Sequence, residues 1–80
     1  MTWRSCPFEV GRVYSVVKPF KSLRFEFVAG KKYAFVGDVY NRYDSMTIFN
    51  FRSDEDGKNY QWWLHDEVPL ETWREYFKPE

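Results

Sequence analysis

The 80-residue chain contains a single cysteine, Cys6, so no internal disulfide can brace it. That sparing use of cysteine fits a reducing compartment. Histidine is equally scarce, with His65 alone. One Cys and one His cannot supply the closely spaced ligands of a conventional zinc site. Four glycines and four prolines leave no repeat, low-complexity tract or linker. No apolar run approaches the roughly 18 residues of a membrane helix. The opening MTWRSCPFEV lacks the apolar core of a secretory signal. Net charge is missing too: 12 Lys/Arg offset 12 Asp/Glu, which removes the global attraction expected of a nucleic-acid or membrane binder. These absences predict one soluble, cytoplasmic domain over residues 1–80, a chain too short to divide into two cores.

Aromatic residues are what the chain has in excess. Eight Phe, six Tyr and four Trp make up 22% of it, and each ring buries about 150–250 Å². Without disulfide or metal, that burial must offset an ordering cost of roughly 1.5 kcal/mol per residue. A small barrel holds only about a dozen inward side chains. Surplus rings are therefore expected outside, grouped as a patch. Charge is also uneven. Residues 1–42 carry eight Lys/Arg against Glu9, Glu26 and Asp38, a balance of +5, and residues 43–80 carry −5.

Residues 12–18 (RVYSVVK) read as a strand between Gly11 and Pro19. In 23–29 (LRFEFVA), Leu23, Phe25, Phe27 and Ala29 alternate with Arg24 and Glu26, predicting a strand with that set in the core. Gly30-Lys31-Lys32 turns the chain into 33–39 (YAFVGDV), where Gly37 marks a bulge or bend. Strands are further expected over 46–52 (MTIFNFR) and 59–65 (NYQWWLH), joined by a loop with an Asp-Gly pair. Leu70, Trp73 and Phe77 at i, i+3 and i+7 predict a short helix from about 69 to 77, with Pro69 in its first turn. The fold expected is a five-stranded, SH3-like, partly open antiparallel barrel with that C-terminal helix.

The spacing of Phe8, Gly11, Tyr14-x-Val16, Phe20, Gly30, Tyr33-x-Phe35, Tyr43-Asp44 and Phe49 resembles that of a small bacterial family of unknown function with SH3-like barrels. The resemblance runs from Phe8 to Phe51. It implies a fold rather than an activity, because small barrels host many functions.

Catalysis finds little support. Asp66 adjoins His65 in a strand and points to the opposite face, so it is poorly placed to orient the imidazole. A non-enzymatic, cofactor-free protein is expected. Asp54-Glu55-Asp56-Gly57 resembles the start of a calcium loop, but that alignment puts Arg52 and Trp63 at ligand positions, and neither can coordinate. Protein or peptide binding is the leading expectation, with Tyr40, Tyr43, Trp63 and His65 as the candidate aromatic patch and Tyr60 as a further ring. The alternative is single-stranded nucleic acid held by Arg24, Lys31 and Lys32 beside Phe27 and Tyr33. A homodimer that buries the aromatic surplus is the third. In 59–65, Tyr60, Trp62 and Leu64 form the expected core stripe, leaving Gln61, Trp63 and His65 on the other face.

Overall fold

The structure, a computed structural model, describes residues 6–80. The expectation of no secretory leader rests largely on residues 1–5 and lies outside the described residues. Three long strands form a meander: β4 (Lys32–Asn41), β5 (Met46–Ser53) and β6 (Asn59–His65). β1 (Val13–Val16) pairs antiparallel with β4, and β7 (Phe77–Pro79) pairs with β1, giving the sheet order β6-β5-β4-β1-β7. β2 (Phe20–Ser22) and β3 (Phe25–Phe27) form a separate hairpin that packs beside β6. The chain is mainly β. Among the described residues no ladder joins β6 to β7, so the five-stranded sheet does not close into a barrel.

Two expectations need correction. Residues 23–29 are not one strand: the chain reverses at Leu23-Arg24, and Phe20 pairs with Phe27 across the hairpin. Leu23 has φ 54° and is 59% exposed, and Ala29 is exposed as well. Its run alternates as a strand would, but the pairing that buries Phe27 reaches back to Phe20, and the turn absorbs Leu23. The predicted helix is also shortened. A 3₁₀ turn spans Leu70–Thr72 and α1 covers Trp73–Tyr76, after which Phe77 is extended at φ −119°, ψ 149°. Pro79 keeps Lys78 out of the helical region, and Phe77 is extended already because it pairs with Val16 of β1. Phe77 is buried as expected, but as the strand partner of Val16 rather than as a helix face.

Gly37 does mark a break. The β4–β5 register shifts between Phe35 and Gly37, placing one extra residue on β4. The Asp56-Gly57 cue also corresponds to a turn: Gly57 has φ 70° and its N–H donates to Ser53 O at 3.0 Å.

The core lies on one face of the sheet and is almost wholly aromatic. Tyr14, Phe35, Phe49, Phe51, Trp62 and Phe77 are among its buried members. At its centre stands Phe8, which belongs to no strand. Its ring meets Tyr14, Phe49, Phe51 and Phe77 edge-on, with centroids 5.0, 5.2, 5.1 and 5.4 Å away. The segment is pinned by Gly11 N–H to Phe35 O at 2.9 Å and by Glu9 N–H to Tyr14 Oη at 2.8 Å. Phe20, Phe25, Tyr60, Trp73 and Tyr76 pack around this centre. The aromatic surplus is thus mostly absorbed inside, under the hairpin and the C-terminal turn.

Phe8→Ala is expected to cost about 3–5 kcal/mol, the range for losing a buried ring, measured by urea unfolding; a loss below 1 kcal/mol would show that the ring is not central. At the β2–β3 turn, Leu23→Asn is expected to raise stability by about 0.5–1 kcal/mol, because Asn tolerates the left-handed backbone that Leu does not. A lower melting temperature for that variant would contradict the turn geometry.

Candidate functional site

The register of β4, β5 and β6 decides which side chains share the sheet's outer face. Residues directly paired across strands point the same way. The buried rows Phe35/Phe51/Tyr60 and Asp38/Phe49/Trp62 face the core side, as does Tyr40/Thr47/Leu64. The rows between them face out: Ala34/Arg52/Asn59, Gly37/Asn50/Gln61, Val39/Ile48/Trp63 and Asn41/Met46/His65. Among these twelve positions Arg52 is the only Lys, Arg, Asp or Glu. In a chain that is 30% charged, this is a marked depletion.

The centre of the face is apolar and partly open. Val39 is 57% exposed, Ile48 and Trp63 are half-buried, and Val36 at the bulge is exposed. A shallow, open groove of about 580 Å³ runs along Val39 and Ile48 to Asn41, Arg42 and Tyr43. Hydrogen bonds fix the floor beside it. Trp63 Nε1–H donates to Gln61 Oε1, and Gln61 Nε2–H donates to Asn50 Oδ1, both at 3.1 Å. The Trp63 backbone N–H donates to Ser22 Oγ of the hairpin at 2.8 Å, so the outer edge of β6 is capped there. The indole is therefore held in one orientation with part of its surface in water.

The four expected site residues divide. Trp63 and His65 lie on the outer face, in adjacent rows. Tyr43 sits on the β4–β5 turn and is 91% exposed. That turn is built by Asn41, whose Oδ1 accepts the Tyr43 and Asp44 N–H groups and whose Nδ2 donates to Asp44 Oδ2. Tyr40 instead joins the core-facing row, and its hydroxyl donates to Asp66 Oδ2 at 2.5 Å, tying the end of β4 to the turn after β6. Its phase follows from the bulge: the extra residue rotates Tyr40 inward and Val39 outward. Tyr60 packs against Phe27 and Tyr33. Val39, Ile48 and Met46 join this face without any sequence signal that marks them as binding residues. In MTIFNFR both alternating sets hold apolar residues, so the pattern alone does not say which set faces out.

The imidazole and the nearby acids are engaged in local structure. His65 Nδ1 accepts the Glu67 backbone N–H at 3.2 Å, while Asp66 serves Tyr40. Partial desolvation of its sulfur pushes the Cys6 thiol above its ordinary value, the reverse of nucleophile activation. In the acidic loop, the Lys58 N–H donating to Asp56 holds that carboxyl below the usual range, as in an ordinary solvated turn.

The basic trio is distributed differently. Lys31 Nζ lies 3.6 Å from Glu55, Lys32 Nζ lies 3.2 Å from Glu80, and the Arg24 guanidinium lies over the Phe25 ring. Paired lysines offer phosphate little net attraction. Titration with a single-stranded oligonucleotide at low salt is expected to give binding no tighter than about 10⁻⁴ M, the weak end of non-specific affinity. Micromolar binding that disappears in the double variant Lys31→Ala/Lys32→Ala would reverse this.

Among solved structures, the chain is similar to an integron cassette protein from the mobile metagenome of Vibrio cholerae. The two share 25% identity with a TM-score of 0.71 over 91% of this chain and 88% of that one. The likeness extends over nearly the whole fold. No protein-family model matches the chain, and no curated protein matches it. No helix is long and apolar enough to cross a membrane among the described residues.

Proposed function

We propose that the chain is a non-catalytic, cytoplasmic binding module of bacterial origin that docks a protein or peptide on the outer face of β4, β5 and β6. The observation that carries this reading is the composition of that face. Its centre is Val39, Ile48 and Trp63, flanked by Met46 and the exposed Tyr43, with amides around them and one charged residue at a corner. Depletion of charge with enrichment of aromatic and Met side chains is the signature of interface centres. A Trp held by hydrogen bonds loses little entropy on binding, which suits an anchor. The same reading takes the fold as an opened relative of SH3-like small barrels and extends to it the resemblance seen over residues 8–51. The bend at Gly37 and the hairpin laid beside β6 support that view.

Selection of a random peptide library against the immobilised chain tests the reading. Binders are expected to lose at least tenfold in affinity to Val39→Lys and to be unaffected by Arg74→Glu on the C-terminal turn, which packs on the core side of the sheet. Binders indifferent to both Val39→Lys and Ile48→Lys would place recognition elsewhere and end the proposal.

A further inference from the structure

We infer that the outer face of β4, β5 and β6 docks on the same face of a second copy, forming a weak two-fold dimer; this rests on the reading of that face as a protein-binding surface. The first argument is electrostatic. A surface that meets its own copy meets its own charges, so a face carrying net charge repels itself. This one carries only Arg52 among its twelve outward strand positions, and that residue sits at a corner rather than in the centre.

The second argument is complementarity between the two ends of the face. Take a two-fold axis in the interface plane, across the strands and through the row Val39/Ile48/Trp63. That row then lies on itself, apolar on apolar and indole beside indole. The row Asn41/Met46/His65 falls over the partner's Gly37/Asn50/Gln61. One step further out, the β4–β5 turn falls over the partner's Ala34/Arg52/Asn59. Asp44 of each copy is thereby brought opposite Arg52 of the other. Within one chain, neither residue makes an ion pair among the described residues, and the Asp44 carboxylate accepts from Asn41 alone among the hydrogen bonds of that turn. Asp44 and Arg52 thus form one opposite-charge contact across the axis, twice by symmetry, while Arg42 on the same turn lies at the β4 side, over the partner's Ala34.

Size sets the strength. Three strands at ordinary spacing and eight residues at ordinary rise span roughly 14 by 26 Å. A standard stable interface covers about 800 Å² per partner. The face is smaller than that, so the dimer belongs to the transient, concentration-dependent class.

Sedimentation equilibrium of the full chain from about 10 μM to 1 mM is the test. The wild type is expected to pass from monomer to dimer within this range, and Val39→Lys to remain monomeric throughout with an unchanged melting temperature, Val39 being largely solvent-exposed. Arg52→Asp and Asp44→Arg singly are expected to weaken the dimer about fivefold, and the double variant Arg52→Asp/Asp44→Arg to recover it. A wild type that stays monomeric at 1 mM overturns the dimer while leaving the peptide selection free to succeed or fail by itself. A dimer that survives Val39→Lys, or single swaps without rescue in the double variant, overturns it as well.

Discussion

The fold depends on one ring that no strand contains. Phe8 enters the core from an irregular segment and meets, edge-on, side chains from β1, β5 and β7. An edge-to-face contact sets the positive rim of one ring against the negative face of another, so it is directional as well as apolar. The C-terminal segment has little helix of its own, a single turn from Trp73 to Tyr76. Its position follows from Trp73 and Phe77 closing around Phe8. With no disulfide, a domain of this size relies on such dense ring packing to offset chain entropy.

A second constraint divides inside from outside. The extra residue at Gly37 changes the phase of β4 halfway along its length. Before it, Tyr33 and Phe35 face the core; after it, Asp38 and Tyr40 do, and Val39 turns to solvent. The apolar row on the outer face exists because of that one-residue shift. Had β4 run without a bulge, Val39 would point inward and Tyr40 outward, separating Ile48 and Trp63 from their neighbour.

The hairpin of β2 and β3 gives the third element of order. Through Ser22 it caps the free edge of β6, and Phe20 and Phe27 stack beneath it at 4.6 Å. An edge protected in this way is less open to pairing with another strand. The proposed association is thereby left to the outer face of the sheet. The proposed binding role rests on this division: one face is filled with rings, one edge is capped, and a face with a single charge, Arg52, is left.

Much of this was legible in the residues. The strands over 13–16, 46–53 and 59–65 followed from β-branched and aromatic runs between turn residues, and Trp62 and Leu64 separated from Trp63 and His65 because a strand's period is fixed by backbone geometry. Gly37 announced a break for a similarly local reason. Other features were set by partners distant in the chain. Leu23 alternates as a core residue would, yet pairing of Phe20 with Phe27 turns it outward. Phe77 fits a helical stripe, yet the open side of β1 draws it into a strand. Val39 and Ile48 became neighbours of Trp63 only through the register of three strands and the bulge that rephases one of them. Local period, turn sites and the aromatic character of the core follow from the residues alone, since these depend on backbone sterics and side-chain chemistry within a few residues. Which apolar set faces water, and which residues stand beside Trp63, was decided by the tertiary structure, because cross-strand register is a property of pairs and no single strand contains it.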